Sequence, residues 1–271
     1  MPALRRADLI LWLPAAVAVL GLGGVGAFAL AGWPGSAGAT AWMFCEAFRE
    51  GGVAQPANTA SNLGFVAAGL AIGWRGRRDL LRGEPADRRS AMTRSVGVPA
   101  LLASLVVFLG PGSMAMHAST TAWGGRTDVL SMFLYVCFLP AYGAARLFSL
   151  SLGRFAGLYG ALAALGGVYV FAVPDPANLG FGSVAVLGLA SEVAVARRRP
   201  ELGGERRWLV AGALLFLLAF AVWLPSRTGG PLCDPHSWVQ GHAIWHLLCA
   251  GTTACFYVFH RSERRSGLRI P

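Results

Sequence analysis

Residues 95–118 read SVGVPALLASLVVFLGPGSMAMHA, a continuous apolar stretch that holds no Asp, Glu or Arg and carries its single histidine, His117, next to its end. About twenty apolar residues are needed for a helix to cross a hydrocarbon core of roughly 30 Å. Similar runs occur on both sides of this stretch. The sequence therefore predicts an all-α, polytopic transmembrane bundle of eight helices, formed by residues 9–32, 54–74, 95–118, 128–148, 153–173, 178–196, 207–224 and 240–260.

The composition supports a membrane protein and argues against a nucleic-acid-binding one. Hydrophobic residues make up 55% of the chain and charged residues only 13%, about half of the charged fraction of an average soluble domain. The net charge is +10, but the arginines sit in short clusters between the apolar runs. They are not interleaved with aromatic residues, as binding along a nucleic-acid strand requires. We therefore expect a lipid bilayer as the environment, no nucleic acid and no obligate protein partner.

The arginine distribution predicts the orientation of the helices. The chain has no Lys, and 20 of its 23 arginines fall on one side if the N-terminus is cytoplasmic, which leaves Arg49, Arg126 and Arg227 on the other side. Positive charge is retained on the cytoplasmic side during insertion. We therefore expect both termini in the cytoplasm, with residues 261–271 as a basic tail. A chain rich in Arg, Ala and Gly but without Lys is typical of a GC-rich bacterial genome, which indicates the bacterial inner membrane with the outer side facing the periplasm.

The N-terminal segment 1–41 allows two interpretations. Arg5 and Arg6, the apolar stretch that follows and the sequence Ala39-Thr40-Ala41 also resemble a secretion signal with its cleavage site. The apolar run is longer than the core of a usual signal, which favours a retained transmembrane anchor. In both cases residue 42 begins outside the cytoplasm.

Ionisable side chains are rare in membrane helices and mark functional sites. The third run travels outward and ends near His117, whereas the eighth travels inward and begins near His242 and His246. Asp128 begins the fourth run, which also starts at the outer face. The topology therefore predicts that these four side chains lie at one depth, close to the outer surface.

The spacing of these residues predicts a metal site. His242 and His246 are one helical turn apart, so they share a helix face. A third imidazole from His117 would complete a zinc site whose fourth position stays open, the arrangement of catalytic zinc. Ser113, one turn before His117, could hydrogen-bond an oxyanion or the metal-bound water. Asp128 could accept a proton from that water or orient a ligating histidine. Taken singly, an H-x-x-x-H pair often contacts headgroups, and a membrane serine often serves helix packing. Their convergence favours the metal.

Other polar residues receive simpler interpretations. We expect Glu192 to form an ion pair with the arginines that follow it, and His236 and His260 to be solvated. Cys45 and Cys233 are the two cysteines in outer loops. An oxidising exterior favours a disulfide between them.

Four stretches of the chain together resemble the alkaline ceramidase family, part of a wider group of seven-helix membrane hydrolases related to the adiponectin receptors. They are WMFCE at 42–46, NTASN at 58–62, GPGSMAMHA at 110–118 and GHAIWH at 241–246. Asp128 follows the histidine of the third stretch at the spacing seen in the family. The resemblance covers residues 42–260, a seven-helix core, and leaves the segment 1–41 as an extra helix.

The resemblance implies a zinc-dependent hydrolase that cleaves the amide bond of ceramide or a related N-acyl lipid into a fatty acid and an amine. It also implies a lipid pocket inside the bundle, reached from the membrane. The implied site contains zinc ligands, residues that assist hydrolysis and supporting residues. These are His117, His242 and His246 as ligands, Ser113 and Asp128 as assisting residues, and Glu46, Asn58, Asn62 and Trp245 as supporting residues.

The chain departs from the family at a calcium site near the first core helix. The family builds this site from acidic and Asn side chains. Glu46 is present here, but Met43 and Phe48 stand where oxygen ligands are expected, and Gln55 replaces a Glu. Calcium takes six to eight oxygen ligands, so the sequence disfavours this site.

A second departure concerns the substrate. The residues after Asp128 are Val129, Leu130 and Ser131, where the family has acidic and Pro residues. This difference leaves two alternatives open beside the amidase. One is a zinc-dependent lipid esterase or phospholipase, and the other is a lipid-sensing membrane protein without catalytic turnover.

Overall fold

The computed structural model describes residues 2–35, 43–82, 90–173 and 177–270. Within these ranges the chain is helical and forms no strand beyond one isolated bridge between Ser151 and Arg269. Short 3-10 turns follow α8 and α9. The helices are α1 (Pro2–Ala31), α2 (Pro56–Ser61), α3 (Leu63–Arg82), α4 (Ala91–Arg94), α5 (Gly97–Ser119), α6 (Ala122–Leu147), α7 (Leu152–Ala172), α8 (Ala177–Arg198), α9 (Arg206–Trp223) and α10 (Gly241–Arg261).

The predicted all-α, polytopic helix bundle is confirmed. Seven helices in the described ranges, α1 and α5 to α10, are long and apolar enough to cross a membrane. The chain is thus an integral membrane protein. The helix α3 is not among these seven, because its second half carries Arg75, Arg77, Arg78, Asp79 and Arg82. It nevertheless lies inside the bundle, packed against α1, α5 and α10.

The predicted run at 54–74 is divided into two helices. Pro56 occupies the first turn of α2, where its fixed φ favours a helix start. The side chain of Asn62, between α2 and α3, donates to the carbonyl of Asn58 at 2.9 Å. α3 then extends past residue 74, because Asp79 forms ion pairs with Arg75 at 3.3 Å and with Arg261 of α10. Hydropathy alone missed both boundaries, since buried polar groups begin the segment and paired charges end it.

The helix α5 forms the centre of the bundle. In its most apolar window, 83% of the residues are buried, compared with 50% or fewer in the other six candidate spans. A Cβ added at Gly110 would lie 2.9 Å from the carbonyl oxygen of Asn62, and one at Gly112 would lie 2.6 Å from Cβ of Ser131. These two glycines therefore let the α2–α3 junction and α6 approach the backbone of α5 within two turns of His117.

The helix α1 packs against the core. Ala18 of α1 forms an apolar cluster with Val66 of α3 and Val107 of α5. Near the beginning of α1, Asp8 pairs with Arg77 of α3 at 2.7 Å. The possible cleavage site Ala39-Thr40-Ala41 lies outside the described residues.

The end of the bundle opposite His117 contains a buried network of charges. Arg146, near the end of α6, is only 1% exposed and pairs with Glu192 of α8 and, at 2.5 Å, with Glu263. His260 is fully buried, 3.3 Å from Glu263. The expectation of a solvated His260 is therefore wrong. Glu192 does form an ion pair, but its partner is Arg146 and not the arginines that follow it in the sequence.

The segment that follows α10 folds back onto this charged end. Leu268 is buried in the main apolar core, together with residues of α5 and α6. The backbone N–H of Arg269 donates to the carbonyl of Leu150 at 2.9 Å. The predicted basic tail is therefore docked against the bundle between residues 262 and 270, and Glu263 anchors it to Arg146.

The buried network predicts a large difference between two arginine substitutions. Arg146→Met leaves the carboxylates of Glu192 and Glu263 without their counter-charge, which costs about 3–5 kcal/mol of folding free energy for a buried pair. Arg207→Met removes an exposed pair with Glu205, which contributes about 0–1 kcal/mol. Denaturation of the purified protein by SDS in mixed micelles measures both. Equal stabilities of the two variants would contradict the assigned role of Arg146.

Candidate metal centre

Three histidines from two helices meet in the structure. His117 comes from the last turn of α5, and His242 and His246 come from the first two turns of α10. One ring nitrogen from each lies within 4.8 Å of the other two, and all three residues are buried. The ring centres are 4.4–5.1 Å apart. In the described part of the chain this is the one group of three His, Cys, Asp or Glu side chains close enough to hold a metal ion.

The end of α5 is shaped by a segment that crosses it. The last carbonyls of a helix have no partner within the helix. Here the carbonyl of His117 accepts from the backbone N–H of Gln55 at 3.0 Å, and that of Ala118 accepts from Ala54 at 2.9 Å. We call residues 43–55 the strap. Because the strap completes the hydrogen bonding of this helix end, it also fixes the depth at which His117 lies.

Two of the three rings are hydrogen-bonded through Nδ1. The side-chain oxygen of Gln55 lies 2.8 Å from Nδ1 of His117, and the hydroxyl of Ser61 lies 2.8 Å from Nδ1 of His246. The Nδ1 atom of His242 is buried, and among the described residues none hydrogen-bonds to it. The ring of His242 is instead stacked on Phe44, with 4.1 Å between the ring centres.

This arrangement fits a metal ion that prefers nitrogen ligands. Three imidazoles leave a fourth position of a tetrahedral site for another ligand. A buried ring nitrogen without a partner is costly unless something binds to it. The Nδ1 atom of His242 is such a nitrogen, so the group has the chemistry of a divalent metal site.

Ser113 and Asp128 also meet. Ser113 is buried one turn before His117 on α5, and its side chain lies near the carboxyl group of Asp128 on α6. The helices can approach this closely because Gly112 faces Ser131 of α6. The structure therefore brings Ser113 and Asp128 near each other, beside the helix end that carries His117.

The disulfide and Glu46 hold the strap in place. Cys45 and Cys233 are joined by a disulfide with their Cα atoms 5.6 Å apart, which ties the strap to the loop before α10. The carboxylate of Glu46 accepts from the backbone N–H groups of Ala57 and Asn58 at 2.7 and 2.8 Å. Glu46 thus caps the first turn of α2 with its negative charge, as a helix N-terminus favours.

These contacts do not fit a calcium ion at the strap. The two oxygens of Glu46 already accept hydrogen bonds, and Gln55 faces His117. Met43 and Phe48 are exposed apolar side chains, which offer no side-chain oxygen. The six to eight oxygen ligands that calcium takes are not assembled by these residues.

Asn58, Asn62 and Trp245, the other residues in the implied supporting set, contact neighbours of the three histidines. The carbonyl of Asn58 accepts from the hydroxyl of Ser61 and from the side chain of Asn62. Trp245 packs against Trp223 of α9, with ring centres 5.1 Å apart, and Trp223 lies 6.2 Å from the ring of His242. Sequence reasoning missed Gln55 and Ser61 as partners of the rings.

A sequence model of the ceramidase family matches residues 44–266, most of the chain. The chain belongs to the ceramidase family. The matched range begins in the strap and contains the three histidines, Ser113 and Asp128, whereas α1 precedes it. No curated protein matches the chain. Membership of the ceramidase family implies a membrane hydrolase that acts on amide bonds of a lipid.

The geometry predicts that substitution of one histidine of the group abolishes metal binding. His242→Ala deletes one of three buried ring nitrogens, so the bound divalent metal per chain should fall to near zero. His236→Ala is the matched control, because His236 is exposed in the loop before α10 and lies outside the group of three. Elemental analysis of the purified variants measures the metal. Full metal content in the His242 variant would exclude this site.

Proposed function

We propose that the protein is a zinc-dependent intramembrane hydrolase that cleaves the amide bond of ceramide or a related N-acyl lipid to a fatty acid and an amine. The observation that carries the proposal is the group of three buried imidazoles within 4.8 Å of one another. Membership of the ceramidase family supplies the substrate class. The carboxyl group of Asp128, near the side chain of Ser113, adds a proton acceptor, for which a purely structural metal site has no need.

Each side chain has a defined task in this reaction. His117, His242 and His246 hold zinc, which when bound supplies a Lewis acid and activates water at neutral pH. The carboxylate of Asp128 accepts a proton from the attacking water and delivers it to the nitrogen of the leaving amine. One C–O bond forms and the C–N bond breaks, so no other reactant is needed. The hydroxyl of Ser113 lies near this carboxylate and orients it.

The arginine distribution supports a location for this reaction. Twenty of the 23 arginines lie on one side of the predicted topology, which places both termini in the cytoplasm and the histidines near the outer face. The proposed location is the bacterial inner membrane, with the site toward the periplasm. Apolar side chains exposed on α7 to α9, such as Leu165, Val186 and Leu214, form a surface suited to contact with lipid chains.

A panel of labelled lipids tests the proposed reaction. The purified protein, in micelles, is incubated with ceramide and with a phospholipid, each with and without a zinc chelator. We expect release of fatty acid from ceramide that stops when zinc is removed and returns when zinc is added. Preferential cleavage of the phospholipid would assign an esterase instead, and turnover of neither lipid would favour a sensor. Release that resists the chelator would exclude the zinc mechanism.

Asp128→Asn separates proton transfer from metal binding. Because Asp128 is not among the three ligands, the variant should keep a full complement of zinc. Loss of a general base lowers the rate by about 10²-fold or more, so kcat should fall by that factor. Metal analysis and the ceramide assay on the same sample measure both quantities. An unchanged kcat would give Asp128 a structural role only.

A further inference from the structure

The hydrogen bonds of Gln55 determine which nitrogen of His117 carries the proton. Gln55 is fully buried, and its amide nitrogen lies 3.0 Å from the backbone carbonyl of Glu46. A carbonyl oxygen can only accept, so the amide nitrogen must face Glu46 and the amide oxygen must face His117. That oxygen, 2.8 Å from Nδ1 of His117, can itself only accept. Nδ1 therefore carries the proton, and Nε2 keeps the lone pair that a metal needs.

The same reasoning applies to Ser61 and His246. The hydroxyl oxygen of Ser61 lies 2.8 Å from the carbonyl of Asn58, which can only accept, so this contact uses the single hydroxyl proton of Ser61. The hydroxyl oxygen lies 2.8 Å from Nδ1 of His246, and with its proton committed it can only accept there. His246 is therefore also protonated at Nδ1, with the lone pair on Nε2.

The backbone fixes the positions of Gln55 and of Glu46, which binds the amide nitrogen of Gln55. Gln55 precedes Pro56, which disfavours the helical conformation at Gln55, and its φ and ψ are −122° and 81°. Its backbone N–H donates to the carbonyl of His117 at 3.0 Å, so the main chain and the side chain of Gln55 bind the same histidine. Glu46, the partner of the other end of the amide, is fixed by its capping of α2 and by the neighbouring disulfide of Cys45.

His242 differs from the other two rings, because its Nδ1 atom is the nitrogen left open for a metal ion. Among the described residues none hydrogen-bonds to its Nδ1 atom, and the ring is held by stacking on Phe44. The segment 55–61 thus sets the proton position on two rings, while the third ring is oriented by packing alone.

We propose that Gln55 and Ser61 are positioning residues that hold His117 and His246 in the tautomer that presents Nε2 to zinc, and that they thereby strengthen zinc binding. The inference rests on the proposed zinc site. Partners that hydrogen-bond the second nitrogen of a metal-bound histidine contribute about 10- to 100-fold to metal affinity. Neither residue touches the metal itself, so both act through the rings.

Zinc affinity of the full chain tests the role of Gln55. The purified protein is stripped of metal in micelles, and zinc is titrated in competition with a chromophoric chelator. Gln55→Met keeps the length of the side chain but has no oxygen, so affinity should fall about 10-fold or more. Gln55→Glu keeps an acceptor oxygen in either protonation state, so affinity should stay within a few-fold of the parent chain.

Ser61 provides an independent second test. Ser61→Ala should weaken zinc binding about 10-fold or more, and Ser61→Thr, which keeps the hydroxyl, should restore it. Ser95→Ala is the matched control, because Ser95 is also buried and bonded to a carbonyl of its own segment, Ala91, but lies outside the metal group. Because the two residues act on different rings, the Gln55→Met and Ser61→Ala losses should multiply in the double variant.

The outcomes separate this inference from the proposed function. Equal zinc affinities of the parent, Gln55→Met and Ser61→Ala chains would overturn the inference and leave the hydrolase intact. An equal loss in Gln55→Met and Gln55→Glu, or in Ser61→Ala and Ser61→Thr, would also overturn it, since the role would then be structural. A parent chain that binds zinc with the expected pattern but cleaves no lipid would refute the hydrolase and support the positioning role.

Discussion

The hydrogen bonds between the strap and the last carbonyls of α5 are the interaction on which the site depends. A helix that ends inside an apolar bundle leaves backbone acceptors that cannot reach water, and these must be satisfied by protein groups. The backbone N–H of Ala54 donates to the carbonyl of Ala118, and that of Gln55 donates to the carbonyl of His117. As a result, the end of α5 is surrounded by the strap, α2 and the start of α10. The metal-binding rings occupy the space that this assembly encloses.

Much of this arrangement was predictable from sequence because it follows from local periodicity and from charge. Apolar runs of membrane length predict the long helices, and the arginine distribution predicts which helix ends meet. His242 and His246 share a face by their four-residue spacing, and Ser113 stands in the same relation to His117. The structure brings the three histidines together and places Ser113 near Asp128.

The rest depends on contacts between distant residues that leave no periodic signal. Gln55 reaches His117 only because the strap crosses the end of α5, and no pattern in the sequence encodes that path. Arg146 looks in sequence like any arginine that marks the inner end of a membrane helix, yet it is buried between Glu192 and Glu263. The two boundaries of the 54–74 run were missed because hydropathy counts polar residues as solvated, whether or not they have partners inside the bundle.

The docked segment after α10 has a consequence for biogenesis. Arg146 is synthesised long before Glu263. Its ion pair with Glu263 therefore cannot form until the residues beyond α10 have been synthesised. Glu192 is synthesised within that interval, so the ion pair with Glu192 can form before the ion pair with Glu263. Until then the guanidinium group, at the inner end of α6, can reach water and lipid headgroups, as long cationic side chains near helix ends do. Full burial of Arg146 therefore requires residues 262–270, and the inner face of the bundle is completed only after α10 has been inserted.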